Sequence, residues 1–182
     1  EYTLNHLIHT YPKPTIAFMD GIVMGGGMGI AQGTTHRLVT ERTKMAMPET
    51  GIGLFPDVGG GHFLARCPGA TGEWLALTGE TIGADGAIAC GLADTFIESG
   101  RQAALWDALA ATRLESSADL DSTIAIYSIA NYSINTWAIA EIDHYFSLDC
   151  VPAIVQTLES AGSPWAAQTA ARLRQNSPLL LH

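Results

Sequence analysis

Two stretches of this sequence carry residue types that can do chemistry at a carbonyl group. Met47-Pro48-Glu49-Thr50-Gly51-Ile52-Gly53-Leu54-Phe55-Pro56-Asp57 holds two carboxylates eight residues apart, each beside a proline and separated by a mostly apolar segment. Apolar surroundings raise a carboxyl pKa by desolvation. A glutamate raised in this way becomes a usable base or acid near neutral pH. The other stretch is the glycine cluster Gly25-Gly26-Gly27 with Gly29 close behind. It follows an apolar run and leads into Ile30-Ala31-Gln32, the pattern of a strand-to-helix turn. A helix start exposes N–H groups without partners and a partial positive charge. Gly25, Gly26 and Gly27 could therefore meet a developing oxyanion or a phosphate.

Plainer readings stand beside these. Glycines also permit close strand–helix packing. Asp57 reads on spacing alone as a helix cap, and Glu49 as a surface residue at the start of a loop. The cluster lacks the pattern and the downstream acid of a dinucleotide fingerprint, and no Gly-Lys-Ser/Thr follows it. Ser147 and Ser163 lack a G-x-S-x-G elbow. His36, His62 and His144 are scattered and read as structural or surface residues, and no metal site is expected. Trp74, Trp106, Trp137 and Trp165 read as core or helix-packing residues.

The elements that would position these groups follow from periodicity. Residues 1–10 read as a helix with Leu4, Leu7 and Ile8 on one face, stopped by Pro12 and Pro14. Strands are expected over residues 15–20, 37–40, 44–47 and 93–97. Helices are expected from Asp57 onward and over 69–77 and 83–90. Beyond residue 100 the pattern is helical, with Trp106, Leu109 and Leu114 spaced as one apolar face. Composition turns from glycine-rich to alanine-rich there, so an α/β core over 1–100 and a helical subdomain over 101–182 are expected.

The chain has 182 residues, 9 Lys and Arg against 18 Asp and Glu, and a net charge of −9. No basic stripe of a nucleic-acid binder is visible, and no apolar run approaches the roughly 20 residues of a membrane span. Cys67, Cys90 and Cys150 are odd in number and far apart. They suggest a reducing compartment and no zinc or disulfide framework. The chain begins at Glu1 and ends inside the apolar run Ser177–His182, and reads as part of a longer protein.

Taken in order, Gly21-x-x-Met24-Gly25-Gly26-Gly27-x-Gly29, Met47-Pro48-Glu49 and Pro56-Asp57-x-Gly59-Gly60 resemble the crotonase superfamily of acyl-CoA enzymes. Met-Pro-Glu-Thr-x-Ile-Gly-Leu-Phe-Pro-Asp-Val-Gly-Gly-Gly is similar to the branch that hydrolyses 3-hydroxyisobutyryl-CoA in valine breakdown. So are Gly162-Ser163-Pro164-Trp165 and Asn176-Ser177-Pro178. The resemblance implies an incomplete crotonase-like α/β (ββα spiral) core with a helical C-terminal appendage. It implies that the Gly26 N–H completes an oxyanion hole, that Glu49 is the catalytic glutamate, and that Asp57 is the second acid of the hydrolase branch. Glu1 matches a further substrate-site glutamate, and Gly25 flanks the same substrate. Hydratases of the superfamily carry a second glutamate where this chain has Gly29, so two-glutamate hydration is disfavoured. Dienoyl-CoA isomerases also want an acid at that position.

The expected substrate is an acyl-CoA thioester, with coenzyme A as part of the substrate and no separate cofactor. The alternatives are an enoyl-CoA hydratase or isomerase, or a non-catalytic truncated fold. The second oxyanion N–H and part of the CoA site come, in the family, from upstream of Glu1, so this stretch alone is expected to be inactive or feeble. Neither nucleic acid nor membrane is an expected partner, and homo-oligomerisation is left open. The expected compartment is the cytoplasm in a bacterium and the mitochondrial matrix in a eukaryote.

Overall fold

The computed structural model describes residues 1–129, 132 and 137–176. The side chain of Trp137 and the Ser177-Pro178 pair lie outside the described residues. Helix α1 (Tyr2–His9) comes first. Strand β1 (Ile16–Met19) then passes through Asp20-Gly21 into β2 (Ile22–Met24), and α2 (Gly26–Gln32) follows. The pattern repeats as β3 (His36–Val39), β4 (Lys44–Ala46) and a 3-10 turn at Glu49–Ile52. Three helices come next: α3 (Gly60–Leu64), α4 (Thr71–Thr78) and α5 (Ala84–Ala89). Strand β5 (Thr95–Phe96) completes the strand set among the described residues.

β1 pairs in parallel with β3, and β3 with β5; β2 pairs in parallel with β4 in a second sheet. Ile16 lies opposite His36, and Ile22 opposite Lys44. Each ββ unit thus gives one strand to each sheet, and a helix returns the chain for the next turn, as parallel pairing requires. This is the ββα spiral. The residues after Gly21, expected to be only a turn, form β2 before the glycines begin. Three residues are too few to carry a periodic signal.

Side chains pin the places where the chain changes sheet. Asp20, between β1 and β2, accepts hydrogen bonds from Thr40 Oγ1 (2.6 Å) and Arg42 Nε (2.8 Å), which lie in the matching link between β3 and β4. The Arg42 guanidinium, with Thr40, holds the Asp20 carboxyl down at about 2.

The remaining chain is helical where described: α6 (Gln102–Ala111), α7 (Ser117–Tyr127), α8 (Trp137–Phe146), α9 (Val151–Ser160) and α10 (Pro164–Gln175). Ser116 and Asp119 form a capping box for α7. Ser163 caps α10, with Pro164 as its first residue. The main core joins Met19, Val39, Met45 and Met47 to Trp74 and Leu75 of α4, and to Ile142, Phe146, Leu158 and Leu173 of the last three helices. A second core gathers Leu38, Ile97, Leu105, Leu120 and Ile124. Two expected apolar faces are corrected. In α6 the buried residue is Leu105, whereas Trp106 is 64% exposed and Leu114 lies beyond the helix. In α1 Leu4 and Leu7 are exposed, and Asn5 and Ile8 turn inward. No helix among the described residues is long and apolar enough to cross a membrane. All three cysteines are free, and burial pushes the Cys67 thiol up to about 12.

Candidate active site

The inward face of α1 is set by glycines on α2. Gly26, Gly29 and Gly33 recur at i, i+3 and i+7, which is one side of a helix. A Cβ added at Gly26 would lie 2.6 Å from Glu1 Oε1; at Gly29, 2.9 Å from Asn5 Nδ2; at Gly33, 3.3 Å from Ile8 Cγ2. The two helices therefore run side by side in one direction, with Glu1, Asn5 and Ile8 seated along the glycine stripe. Close approach of backbones is what glycine permits, and here it brings the Glu1 carboxylate to the first residue of α2.

Glu49 reaches the same corner from the other side. β4 delivers the chain to Pro48, and the 3-10 turn fixes Glu49, which is 5% exposed. Its Oε1 would be 2.9 Å from a Cβ on Gly25. Gly25 has φ 50° and ψ −116°, a conformation open essentially to glycine alone. Its N–H donates to the Ala46 carbonyl over 3.4 Å, continuing β4. Gly26 begins the helix, so its N–H has no intrahelical acceptor, and none is found among the described residues. One free N–H thus stands between two carboxylates.

The Glu49 carboxyl is electrostatically distinct. Burial raises its pKa above the usual carboxylate range, and the negative charge of Asp57 adds to that, against a backbone hydrogen bond that lowers it. Its Oε2 is buried without a hydrogen-bond partner among the described residues. Such an atom is costly unless a substrate or water completes it.

Asp57 is close enough to Glu49 to raise its pKa, and it accepts a long, 3.5 Å hydrogen bond from the Tyr2 hydroxyl. It is not the cap expected of it. Gly59, at φ 88°, caps α3, and the Asp57 carbonyl instead accepts from Gly60 N–H at 2.6 Å. The carboxylate is thereby left to face Tyr2. Between them Val58 is buried at φ 45°, a left-handed conformation that costs about 1–2 kcal/mol for a side-chain-bearing residue. Its Cβ would lie 2.5 Å from a Cβ on Gly29. Contact with the bare glycine locks the strained turn that carries Asp57.

Glu1, Gly25, Gly26, Glu49 and Asp57 are therefore neighbours around the start of α2. Two supporting residues were not assigned to the site from the sequence, although Asn176 belongs to the Asn176-Ser177-Pro178 motif noted there. Asn176, at the end of α10, donates from Nδ2 to the Leu77 carbonyl (2.7 Å) and to Thr50 Oγ1 (3.3 Å), bracing the turn beside Glu49. Asn5 lies in the seam below Glu1. Glycine spacing on α2 could have pointed to the Asn5 seam; only the fold brings Asn176 near. Among the described residues no cluster of His, Cys, Asp and Glu is arranged to hold a metal ion.

A family model described as enoyl-CoA hydratase/isomerase matches residues 1–182. The chain belongs to the enoyl-CoA hydratase/isomerase family. It is 40% identical over 187 residues to the mitochondrial 3-hydroxyisobutyryl-CoA hydrolase of Xenopus tropicalis, covering 100% of this chain and 49% of that protein. It is 37% identical to the small ribosomal subunit protein mS47 of Neurospora crassa, covering 100% of this chain and 40% of that protein. A solved carnitinyl-CoA dehydratase from Mycobacterium thermoresistibile matches with TM-score 0.87 and 36% identity, over 99% of this chain and 52% of that one. The chain thus spans about half the length of the curated relatives it matches. Relatives of such different names share the fold, so the reaction must be argued from the site. Val58 and Asn5 fill the space where a side chain on Gly29 would begin, so this position has no room for a larger residue.

Proposed function

We propose that the whole protein hydrolyses acyl-CoA thioesters, with 3-hydroxyisobutyryl-CoA as substrate and valine breakdown as the setting. The observation that carries this reading is the free Gly26 N–H between Glu1 and the buried, raised-pKa Glu49, with bare Gly29 one turn away. The thioester oxygen takes up negative charge against Gly26 N–H. Glu49 either draws a proton from the attacking water or attacks the carbonyl itself to give an anhydride that water then opens. In both routes the carbon–sulfur bond breaks and the CoA thiolate leaves with a proton. Asp57 orients the water or the hydroxyl of the substrate, and Glu1 closes the site over Gly26. By resemblance, a second oxyanion N–H and further CoA contacts come from chain outside these residues.

Similarity to a carnitinyl-CoA dehydratase raises enoyl-CoA hydration as the alternative. Addition of water across a double bond by two glutamates needs the side chain that Gly29 lacks. The Xenopus tropicalis relative is named mitochondrial, and the mitochondrial matrix is our reading for a eukaryotic host, the cytoplasm for a bacterial one. The test offers the whole protein 3-hydroxyisobutyryl-CoA and crotonyl-CoA side by side. Free thiol from the first without hydration of the second is expected; efficient hydration without thiol release would overturn the proposal.

A further inference from the structure

The turn that carries Glu49 rests on the carbonyl end of α4. A helix ends in carbonyls that have no partner within it and in a partial negative charge. α4 ends at Thr78, and Gly79, at φ 62°, turns the chain away. A Cβ on Gly79 would lie 3.1 Å from Pro48 Cα and 3.4 Å from the Met47 carbonyl oxygen. The bare glycine therefore lets α4 end directly against the residues that lead into Glu49.

Two of the last carbonyls of α4 find their donors far away in the chain. Gly79 N–H closes the helix on the Leu75 carbonyl at 3.0 Å. The Ala76 and Leu77 carbonyls accept long bonds, 3.4 Å each, from Thr50 Oγ1. The bond of ordinary length runs from Asn176 Nδ2 to the Leu77 carbonyl, at 2.7 Å. Asn176 Nδ2 also donates to Thr50 Oγ1 at 3.3 Å, which leaves the Thr50 hydroxyl hydrogen for α4. Asn176 and Thr50 are both buried, so the protein itself supplies the partners that bulk water gives an exposed helix end.

Thr50 follows Glu49 directly, so the negative end of α4 and the proposed catalytic carboxylate share one buried turn. A neighbouring negative charge disfavours an ionised carboxylate, and Glu49 must be ionised to draw a proton or to attack. Donors seated on the α4 carbonyls offset that charge. The other charged groups around the turn are few. Asp57 faces Glu49 and acts on it, and Glu1 stands across Gly26. Beyond α4, Glu80 is ion-paired at 3.1 Å with Arg172 of α10, a pair without net charge.

We propose that Asn176 is a positioning residue that acts through α4: with Thr50 it caps the carbonyl end of that helix and so shields the Glu49 carboxylate from the helix's negative end. The inference rests on the thioesterase reading given above. It differs from mechanical bracing in the sign of its effect. A loosened turn admits water to Glu49 and undoes the burial that raises its pKa. Uncapping α4 raises that pKa further.

The test follows kcat/KM for thiol release from 3-hydroxyisobutyryl-CoA by the whole protein as a function of pH. The acid limb of that profile reports ionisation of the essential base in the free enzyme. Asn176→Leu is similar in shape and offers no donor. Its acid limb is expected about half a pH unit above that of wild type, the scale of a helix end acting on a nearby charge. Asn176→Ser, which keeps a hydroxyl donor, is expected to move less in the same direction. An acid limb that stays in place or moves to lower pH in Asn176→Leu overturns the shielding role and leaves the thioesterase reading intact. Should Asn176→Leu not fold, the same two outcomes in Asn176→Ser decide the matter. Glu49→Gln in the same assay guards the underlying reading: turnover at the wild-type rate by that variant would sink it, and this inference with it.

Discussion

Replacing Gly29 with alanine would drive a methyl group into the seam between α1, α2 and the Asp57 turn. The added carbon would lie 2.5 Å from Val58 Cβ, 2.8 Å from Val58 Cγ2 and 2.9 Å from Asn5 Nδ2. Carbon atoms rest about 3.5–4.0 Å apart, so Val58 or its turn must retreat by roughly 1 Å. Overpacking of this kind costs about 1–3 kcal/mol. Gly27→Ala is the calibrating control. Its methyl would meet nothing nearer than Val23 Cγ1 at 4.0 Å, so it keeps the gain of up to about 1 kcal/mol that alanine brings to a helix. That gain is common to both variants, so the gap between them is the overpacking itself, about 1–3 kcal/mol. Gly33→Ala, with Ile8 Cγ2 at 3.3 Å, should lie between. Urea unfolding with an unchanged slope reads these differences from the midpoints. Adding Val58→Gly to Gly29→Ala should recover part of the loss, because it removes both the clash and the left-handed strain. A Gly29→Ala protein as stable as Gly27→Ala would refute the tight seam, and with it the account of how Glu1 and Asp57 are held.

Further outcomes follow from the ionised and bridging groups. The folded pKa of Glu49 lies above the ordinary range, so the native state holds a proton that the unfolded chain has released, and stability falls as pH rises through that window. Glu49→Gln should therefore raise Tm at neutral pH, by about 2–4 °C for each kcal/mol recovered, and lose this advantage below the ordinary carboxylate range; calorimetry across pH reads both. Asp20 has the opposite sign: its carboxyl is held at about 2, so its contribution is full above its unfolded value and lost as pH falls through about 2. Asp20→Asn should destabilise at pH 7, with the difference from wild type vanishing at the acid end. Asn176→Ala removes the donor to buried Thr50 and the shorter of the two donors to the Leu77 carbonyl, which keeps only the 3.4 Å bond from Thr50 Oγ1, at a cost of about 1–3 kcal/mol. In the whole protein it should also slow thiol release, through the loosened turn at Glu49; unchanged stability and rate would contradict the bracing role.

Much of this was legible in the residues themselves. The strand-then-glycine pattern and the proline-flanked acids marked the start of α2 and the Glu49 turn, because backbone rules at glycine and proline are local. The ββα order came from the family resemblance, because the three residues of β2 carry no periodic signal of their own. Burial was harder. Leu4 and Leu7 looked like the inner face of α1, but the glycine stripe on α2 dictates which side packs, and that side carries Glu1 and Asn5. Asp57 looked like a cap, since an Asp before a helix is a local signal, whereas its actual role depends on Tyr2 fifty-five residues earlier. Asn176 lies 126 residues from Thr50, and no periodicity connects the two.

The central claim is that Glu49 and the Gly26 N–H act on one thioester carbonyl. Its most direct measurement is free-thiol release from 3-hydroxyisobutyryl-CoA by the whole protein carrying Glu49→Gln, with acyl-CoA binding followed in parallel. The account predicts a fall in kcat of at least about 10²-fold with binding largely retained. Turnover at the wild-type rate would contradict it.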